Sequence, residues 1–424
     1  MSLADLAVVM SMGRIEQIGP PKGIRQSPAN AFVREFTTAR PGCGRRPPDR
    51  RGGPLPGLRT IPDKNTLKLP GKGRSGFPTK LLNIRSAMPR PHQTALALAV
   101  TATLGAPAQA QDRTAYPLTL ENCGQTVTFD AAPQNAVALG QNTAEILLML
   151  GLEDRMAATA FWPNAVLPEL ARANATVETL TVEFPSLEAV LSRRPDFVAA
   201  MLTTLMGPDS TVAQRADFEG LGIPTYLAPS ACATTLDAGD AYGSRDALWT
   251  MDLLYQEIEE LARIFDVADR GTALIADLRA READLRARFA SDDGPSFLFW
   301  FSSASPADDA YLGGGNGPSG YIADLLGGTN AVATQADWPT LGWEGIMAAD
   351  PTVFVVAQVD RDRWALDEAA AKIDFLTSDP TVSQMEVVRK GRIVTMSGAA
   401  MNPSLQTLFG AEEVARQLEA LDLP

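Results

Sequence analysis

From Asn135 to Leu421 the sequence alternates short apolar runs with helical stretches, and one long helical block interrupts the alternation. NAVALG (135–140), MAATA (156–160), DFVAAM (196–201) and PTYLAP (224–229) have the length and composition of strands. Between them, TAEILLMLG (143–151), SLEAVLSRR (186–194) and DSTVAQRADFEGLG (209–222) read as helices. Strands this uniformly apolar are buried on both faces, so the spacing predicts an α/β fold with parallel sheets covered by helices. The interruption runs from Arg245 to Ala290, with apolar residues at helical spacing among charges. Alternation then resumes with strands 296–301, 352–357 and 392–396 and helices 320–328, 343–350 and 403–421.

The length of this region bears on domain count. About 310 residues exceed one ordinary core and fit two lobes. The expected division is an N-terminal α/β lobe over 111–267, a linking helix over 268–290 and a C-terminal α/β lobe over 291–424. The expected fold class is thus α/β, two lobes with mainly parallel sheets joined by a long rigid helix.

The region before it has a different character. Residues 1–111 carry 17 Lys and Arg against 5 Asp and Glu, whereas 112–424 carry 20 against 45. At the junction, MPRPHQTALALAVTATLGAPAQAQ (88–111) has a positive start, an uncharged apolar run and an A-x-A cleavage site. This order is that of a secretory signal peptide over 88–110, and the run is too short to span a bilayer. Export to the periplasm is the expectation, with cleavage after Ala110. No Cys stands at the cleavage point to carry a lipid anchor. Residues 38–87 are rich in Arg, Pro and Gly and poor in apolar residues, a composition that cannot offset ordering entropy. Residues 1–87 are therefore read as a non-native or disordered extension, with translation starting at Met88.

The acidic balance of 112–424 argues against nucleic acid, because phosphate binding needs clustered basic charge. The chain's one histidine is His92, inside the proposed signal. Its position removes Ser-His-Asp and Cys-His catalysis, His-rich zinc sites and His-ligated haem from the processed protein. Cys123 and Cys232 are the cysteines beyond Met88. They could pair in an oxidising compartment or stand as two buried thiols.

Two segments repeat a pattern: FPSLEAVLSRRPDFVAA (184–200) and TLGWEGIMAADPTVFVVA (340–357). Each opens a helix with an early Glu and passes through Pro into a buried strand. Glu188 and Glu344 take corresponding places, where the helix dipole alone would favour a carboxylate.

The ordered set PQNAVALGQNTAEILLMLGL (133–152), PSLEAVLSRRPDFV (185–198), LLGGTN (325–330) and WEGIMAADP (343–351) resembles the periplasmic substrate-binding proteins of iron–siderophore and cobalamin ABC importers. The resemblance covers essentially all of 130–421. It implies two α/β lobes flanking a cleft, and one acidic residue per lobe that docks onto Arg pockets of the membrane permease. By position these are Glu188 and Glu344. Residues 2–36 separately resemble the C-terminal tail of an ABC transporter ATPase, with a short strand, a GRI-Q-G turn and a P-A-N-x-F-V tail. No G-x-x-x-x-G-K-[ST] loop occurs in the chain, so no ATPase activity is carried over.

In α/β sheets, ligands bind beyond the C-terminal ends of strands. The residues at those places are the candidate ligand contacts: Gln141 and Asn142, Phe161 and Trp162, Trp300, Tyr311, Trp338, Arg361 and Arg363, and Met401 with Asn402. Trp162 and Trp338 could instead plug their loops against the lobes. Arg suits an anionic ligand because its planar fork pairs with carboxylates. A chelate that brings its own metal ligands asks the protein for shape, stacking and a few charges, and needs no histidine. The expectation is a periplasmic solute-binding protein, not an enzyme. It would act as a monomer, without cofactor or protein-held metal, carrying a ferric siderophore to an ABC permease. Cobalamin and Tyr-held haem are the alternatives within this class.

Two further signals point to other classes. GNGPSG (315–320) is a literal G-x-G-x-x-G, but 13 residues separate it from the preceding strand, whereas a dinucleotide fingerprint follows its strand directly. The pairs Asp292-Asp293 and Asp308-Asp309 read as solvated loop charges. A chelatase on a similar scaffold would ask for a base such as His in the cleft.

Overall fold

The structure is a computed structural model that describes residues 7–11, 14–19 and 113–423, apart from 209, 236–242 and 292. The proposed signal and most of the extension before it lie outside the described residues. The chain divides into two compact units, Met1–Val100 and Thr101–Pro424. In the first, β1 (Ala7–Ser11) and β2 (Arg14–Gly19) pair antiparallel. The GRI-Q-G stretch, expected as a turn, thus supplies a strand.

The second unit opens with a hairpin of β3 (Leu118–Asn122) and β4 (Gln125–Phe129). The two residues between them, Cys123 and Gly124, have φ of 55° and 74°. Positive φ at both positions matches the right-handed twist of the strands. Then follow β5 (Ala136–Leu139), α1 (Gln141–Met149), β6 (Met156–Ala160), α2 (Leu187–Leu191), β7 (Phe197–Ala200) and β8 (Thr225–Leu227). The four strands from β5 to β8 form a parallel sheet in the order β6-β5-β7-β8. The β5–α1 turn passes through Gly140 at φ 113°, where an added Cβ would stand 2.2 Å from Met201 Cγ. Only glycine allows this approach between neighbouring strand ends.

Two helices follow, α3 (Met251–Ile264) and α4 (Ala268–Arg288). The turn between them folds α4 back on α3, and Gly271 lets the backbones close: its added Cβ would lie 2.5 Å from Ala262 Cβ. On α4 only Gly271, Leu278 and Leu285 are buried, one residue in seven, so the helix touches the body along a narrow seam. Polar contacts supplement that seam. Glu282 accepts hydrogen bonds from the Tyr255 and Tyr321 hydroxyls, and Arg281 forms a two-pronged pair with Glu412 at 2.7 and 2.6 Å.

The second half contains β9 (Ser296–Ser302), β10 (Ala310–Leu312), α5 (Pro318–Leu325), β11 (Thr329–Asn330) and β12 (Thr340–Leu341). After these come α6 (Trp343–Ala349), β13 (Val353–Gln358), α7 (Ala369–Ser378), β14 (Ile393–Ser397) and α8 (Gln406–Leu418). The sheet runs β12-β10-β9-β13-β14, with β9, β13 and β14 parallel, β10 antiparallel to β9, and β11 pairing with β9.

Strand residues alternate between faces, as the pleat requires. Ala136, Ala138, Phe197, Phe297, Phe299, Val353 and Val355 enter one central cluster with residues of α3, α4, α5 and α8. Their neighbours fill a second cluster on the N-terminal sheet, with Val137, Leu139 and Val198, and a third on the C-terminal sheet, with Leu298, Trp300 and Phe354. The central cluster draws on both sheets, so the lobes share a core.

Several boundaries differ from expectation. The helix expected at 209–222 is confined to Arg215–Glu219, because Gln214 and Asp217 form a capping box there. The helix expected from Arg245 starts at Met251. The hairpin β3–β4, the short strands β10, β11 and β12, and α7 were not anticipated.

Candidate functional site

A cleft of about 900 Å³, counted to its open mouth, lies between the C-terminal strand ends of the two sheets. Phe161, Pro163, Val182, Glu183, Phe184 and Leu202 line it from the N-terminal half. Phe301, Tyr311, Trp338, Arg361, Arg363, Trp364 and Asn402 line it from the C-terminal half.

The walls are built from aromatic pairs. Phe161 packs on Phe184 with ring centroids 4.8 Å apart, Phe301 on Trp338 at 4.7 Å, and Tyr311 on Trp364 at 5.2 Å. Phe161 directly follows β6 in left-handed backbone, φ 59°, a conformation costing a non-glycine residue about 1–2 kcal/mol. Its N–H donates to Thr181 O, which holds the turn and places the ring against Phe184. Val182 and Phe184 remain 49% and 36% exposed, an apolar edge facing the cleft mouth.

Two arginines differ in what they offer. The Arg361 guanidinium lies 4.5 Å from the Trp364 ring centre and 5.4 Å from that of Phe301. Its Nε and Nη2 reach the two Asp367 oxygens at 3.2 and 3.1 Å. Burial would raise the Asp367 carboxyl, but hydrogen bonds from Arg361, Ser302 and the N–H groups of Trp364 and Arg363 outweigh it and hold the carboxyl below the usual range. Arg361 is thus pinned and charge-balanced. Arg363 is about half exposed, and its Nη1 lies 3.9 Å from Glu183 Oε2 on the opposite wall. A pair so exposed is weak, so Arg363 is the cation a ligand can recruit.

Of the residues named from sequence, Phe161, Tyr311, Trp338, Arg361 and Arg363 come together on the cleft, joined by Asn402. Five do not line it. Trp300 is fully buried in the outer core of the second sheet, edge-on to Trp343 at 5.0 Å, because an even position on β9 faces away from the lobe interface. Trp162 and Met401 belong to the central cluster. Gln141 and Asn142, expected on a loop, form the first turn of α1 and are buried. Asn142 donates to Glu257 Oε2 at 3.1 Å and accepts from Leu405 N–H at 2.8 Å, tying α1 to α3 and to the start of α8.

Sequence reasoning missed Val182, Glu183, Phe184, Phe301 and Trp364. The V-E-F alternation before Pro185 and the Trp directly after Arg361 and Arg363 were the available signals.

Glu188 and Glu344 each stand in the first turn of their helix, exposed, and neither forms an ion pair among the described residues. Hydrogen bonds from the N–H of Glu188 itself and from Ser186 hold the Glu188 carboxyl below its ordinary value. Cys123 and Cys232 form a disulfide, with Cα atoms 5.5 Å apart. It ties the β3–β4 tip to the turn after β8. Of the 315–320 glycines, Gly315 packs against Val332 and Thr334 and Gly317 against Asp337, ahead of α5, which starts at Pro318, while Gly320 lies within that helix against Gly315.

Comparison with known proteins fits this geometry. Residues 137–400 match the family described as periplasmic binding protein. A periplasmic binding protein from Veillonella parvula aligns with 72% of this chain and 98% of its own, at 22% identity and TM-score 0.57. An ABC-type Fe3+-hydroxamate transport system from Saccharomonospora viridis aligns with 72% and 99%, at 24% identity and TM-score 0.57. A periplasmic haem-binding protein from Pseudomonas aeruginosa aligns with 69% and 95%, at 18% identity and TM-score 0.52. At these identities the likeness is one of fold. Separately, a 77-residue match at 42% identity links 16% of this chain to the sulfate/thiosulfate import ATP-binding protein CysA 2 of Chromobacterium violaceum. The chain spans 20% of that protein's length.

Proposed function

This chain belongs to the periplasmic binding protein family, and from that premise we propose that it captures a ferric siderophore in the cleft and delivers it to the permease of an ABC importer. The observation carrying this reading is the lining: three aromatic pairs and two arginines, with one carboxylate, Glu183. Flat apolar walls suit a bulky, partly apolar cargo. A planar guanidinium suits the carboxylate, catecholate or hydroxamate oxygens of a chelate that already satisfies its metal.

Capture would proceed by stacking on the aromatic walls while the chelate's negative oxygens draw Arg363 from Glu183. Arg361, pre-positioned by Asp367, supplies a second positive edge without reorganisation. The lobes adjust little, since their shared core and the α3–α4 pair resist bending. The loaded protein, a periplasmic monomer, docks through Glu188 and Glu344, one charge on each half, which steers encounter and fixes orientation. A Fe3+-hydroxamate system and a haem-binding protein among the structural relatives support a metal-chelate cargo.

Trp338 and Trp364 make the test direct. Titration with ferric hydroxamates, ferric catecholates, haem and cobalamin is expected to quench tryptophan fluorescence saturably at submicromolar concentration with a ferric siderophore. Saturation by haem or cobalamin alone would reassign the cargo.

A further inference from the structure

Beside the aromatic cleft lies a smaller polar well of about 20 Å³, room for one water-sized group, which shares Phe161, Pro163 and Asn402 with it. Gln141, Glu145 and Asn164 line this well and are 4%, 0% and 5% exposed. Each presents buried polar atoms with no hydrogen-bond partner: Gln141 Oε1, Glu145 Oε2, and both Oδ1 and Nδ2 of Asn164. An unsatisfied buried polar atom costs about 1–3 kcal/mol, so several on one chamber call for an explanation.

Their orientation is set by neighbours. Gln141 Nε2 donates to Glu145 Oε1 at 3.2 Å and to Ala165 O at 2.9 Å, so its carbonyl must be the atom left over. Glu145 Oε1 also accepts from Leu167 N–H at 3.2 Å and from Gln406 Nε2 at 2.7 Å. One carboxylate oxygen is saturated, and the other has no partner. The well therefore offers acceptors in excess: three oxygens and one amide N–H. Among the described residues, no Lys or Arg lines it.

We propose that this well is a subsite for a primary ammonium group, carried on an arm of the molecule that occupies the cleft, with Glu145, Gln141 and Asn164 as its acceptors. Three N–H donors match three oxygens, and the carboxylate supplies the counter-charge that a buried cation requires. The siderophore reading of the cleft underlies the identity of the carrier, but the chemistry of the well stands apart from it.

Burial pushes the Glu145 carboxyl up to about 7, against the lowering effect of hydrogen bonds from Gln141, Gln406 and Leu167. Glu169 adds to the rise. Glu257 on α3 stands behind Asn142, and α8 contributes the neutral Gln406. Glu257 is itself pushed up to about 8 and so is largely protonated near pH 7, which leaves Glu169 as the charged neighbour that favours a cation. An ammonium against Oε2 stabilises the carboxylate, so affinity for an amine strengthens as pH rises through about 7.

The test uses the intact protein and two linear ferric trihydroxamates, one ending in a free primary amine and the other N-acetylated, compared by calorimetry at pH 8 and pH 5.5. The amine form is expected to bind about tenfold tighter at pH 8. That gap is expected to narrow at pH 5.5 and to vanish in Glu145→Gln, or in Asn164→Leu if the first variant fails to fold. Equal affinities of the twins at pH 8, or a gap that survives both substitutions, overturns the subsite. If neither chelate binds, the siderophore reading falls, and n-hexylammonium chloride decides the well by NMR. Shifts of the Gln141 and Asn164 side-chain amides that Glu145→Gln abolishes support it. No shift, or an equal shift with sodium chloride, overturns it.

Discussion

Arg361 joins the cleft lining to the stability of the fold through one side chain. It faces the cleft over Trp364 and Phe301 while satisfying Asp367, whose side chain is 1% exposed. Arg361→Ala is expected to weaken binding of an anionic ferric chelate about tenfold or more, and to cost about 1–3 kcal/mol of folding stability by leaving Asp367 short of donors. Adding Asp367→Asn is expected to recover much of the stability but not the affinity, as urea denaturation and fluorescence titration would show. Recovery of both would mean that Arg361 serves the fold alone. Glu257 gives a purely energetic test. Burial pushes its carboxyl up to about 8, partly opposed by hydrogen bonds from Thr143 and Asn142. An unfolded glutamate titrates near ~4.3, so the native state holds a proton that the unfolded chain releases. The resulting stabilisation is complete below about pH 4 and is lost as pH rises toward 8. Glu257→Gln mimics the protonated form. It is expected to match the parent below about pH 4 and to exceed it by about 5 kcal/mol at pH 9, read from urea midpoints. A variant weaker at pH 9 would show that the ionised carboxylate is required.

Among the elements, the β3–β4 hairpin buries Leu118, Leu120, Val127 and Phe129 in the central cluster. Its tip is held to the turn after β8 by Cys123–Cys232 across 109 residues, and by Asn122, which exchanges two hydrogen bonds with the backbone of Leu227 at 2.9 and 2.8 Å. Closing so long a loop restrains the unfolded chain, and the replacement Cys123→Ser with Cys232→Ser is expected to cost about 2–4 kcal/mol. Thermal melts with and without dithiothreitol check this: the parent melts lower in reductant, and the double variant does not respond. Helices and strands with strong periodicity were legible in sequence, as α4, β9 and β13 show. Elements stabilised by partners distant in sequence were not. The strands β10 and β12 have two or three residues each and exist because β9 offers an edge. The pattern around 209–222 has helical spacing, yet a capping box at Gln214 and Asp217 starts the helix late.

Across both lobes, the proposed docking requires two rigid halves presenting their charges together. Reversing both docking residues, Glu188→Arg with Glu344→Arg, is expected to abolish importer-dependent uptake while leaving ligand affinity within about twofold of the parent. Each residue is exposed and neither lines the cleft, so a large loss of affinity would contradict the docking role. The ordered motifs made the family and the cleft's general place readable, and six of the eleven candidate ligand contacts named from sequence stand on that cleft. The rest do not line it for a common reason: a position after a strand does not say which way its side chain points. Trp300 and Trp162 went to core clusters, Gln141 and Asn142 into a helix, and Val182, Phe184 and Trp364 arrived from loops whose path nothing local dictates. Alternating polarity along the chain was enough to specify α/β halves with parallel strands, because burial on both faces demands uniformly apolar strands. The aromatic walls, the Arg361–Asp367 clamp and the polar well required the folded chain, because each is assembled from residues far apart in sequence whose contacts carry no periodic trace.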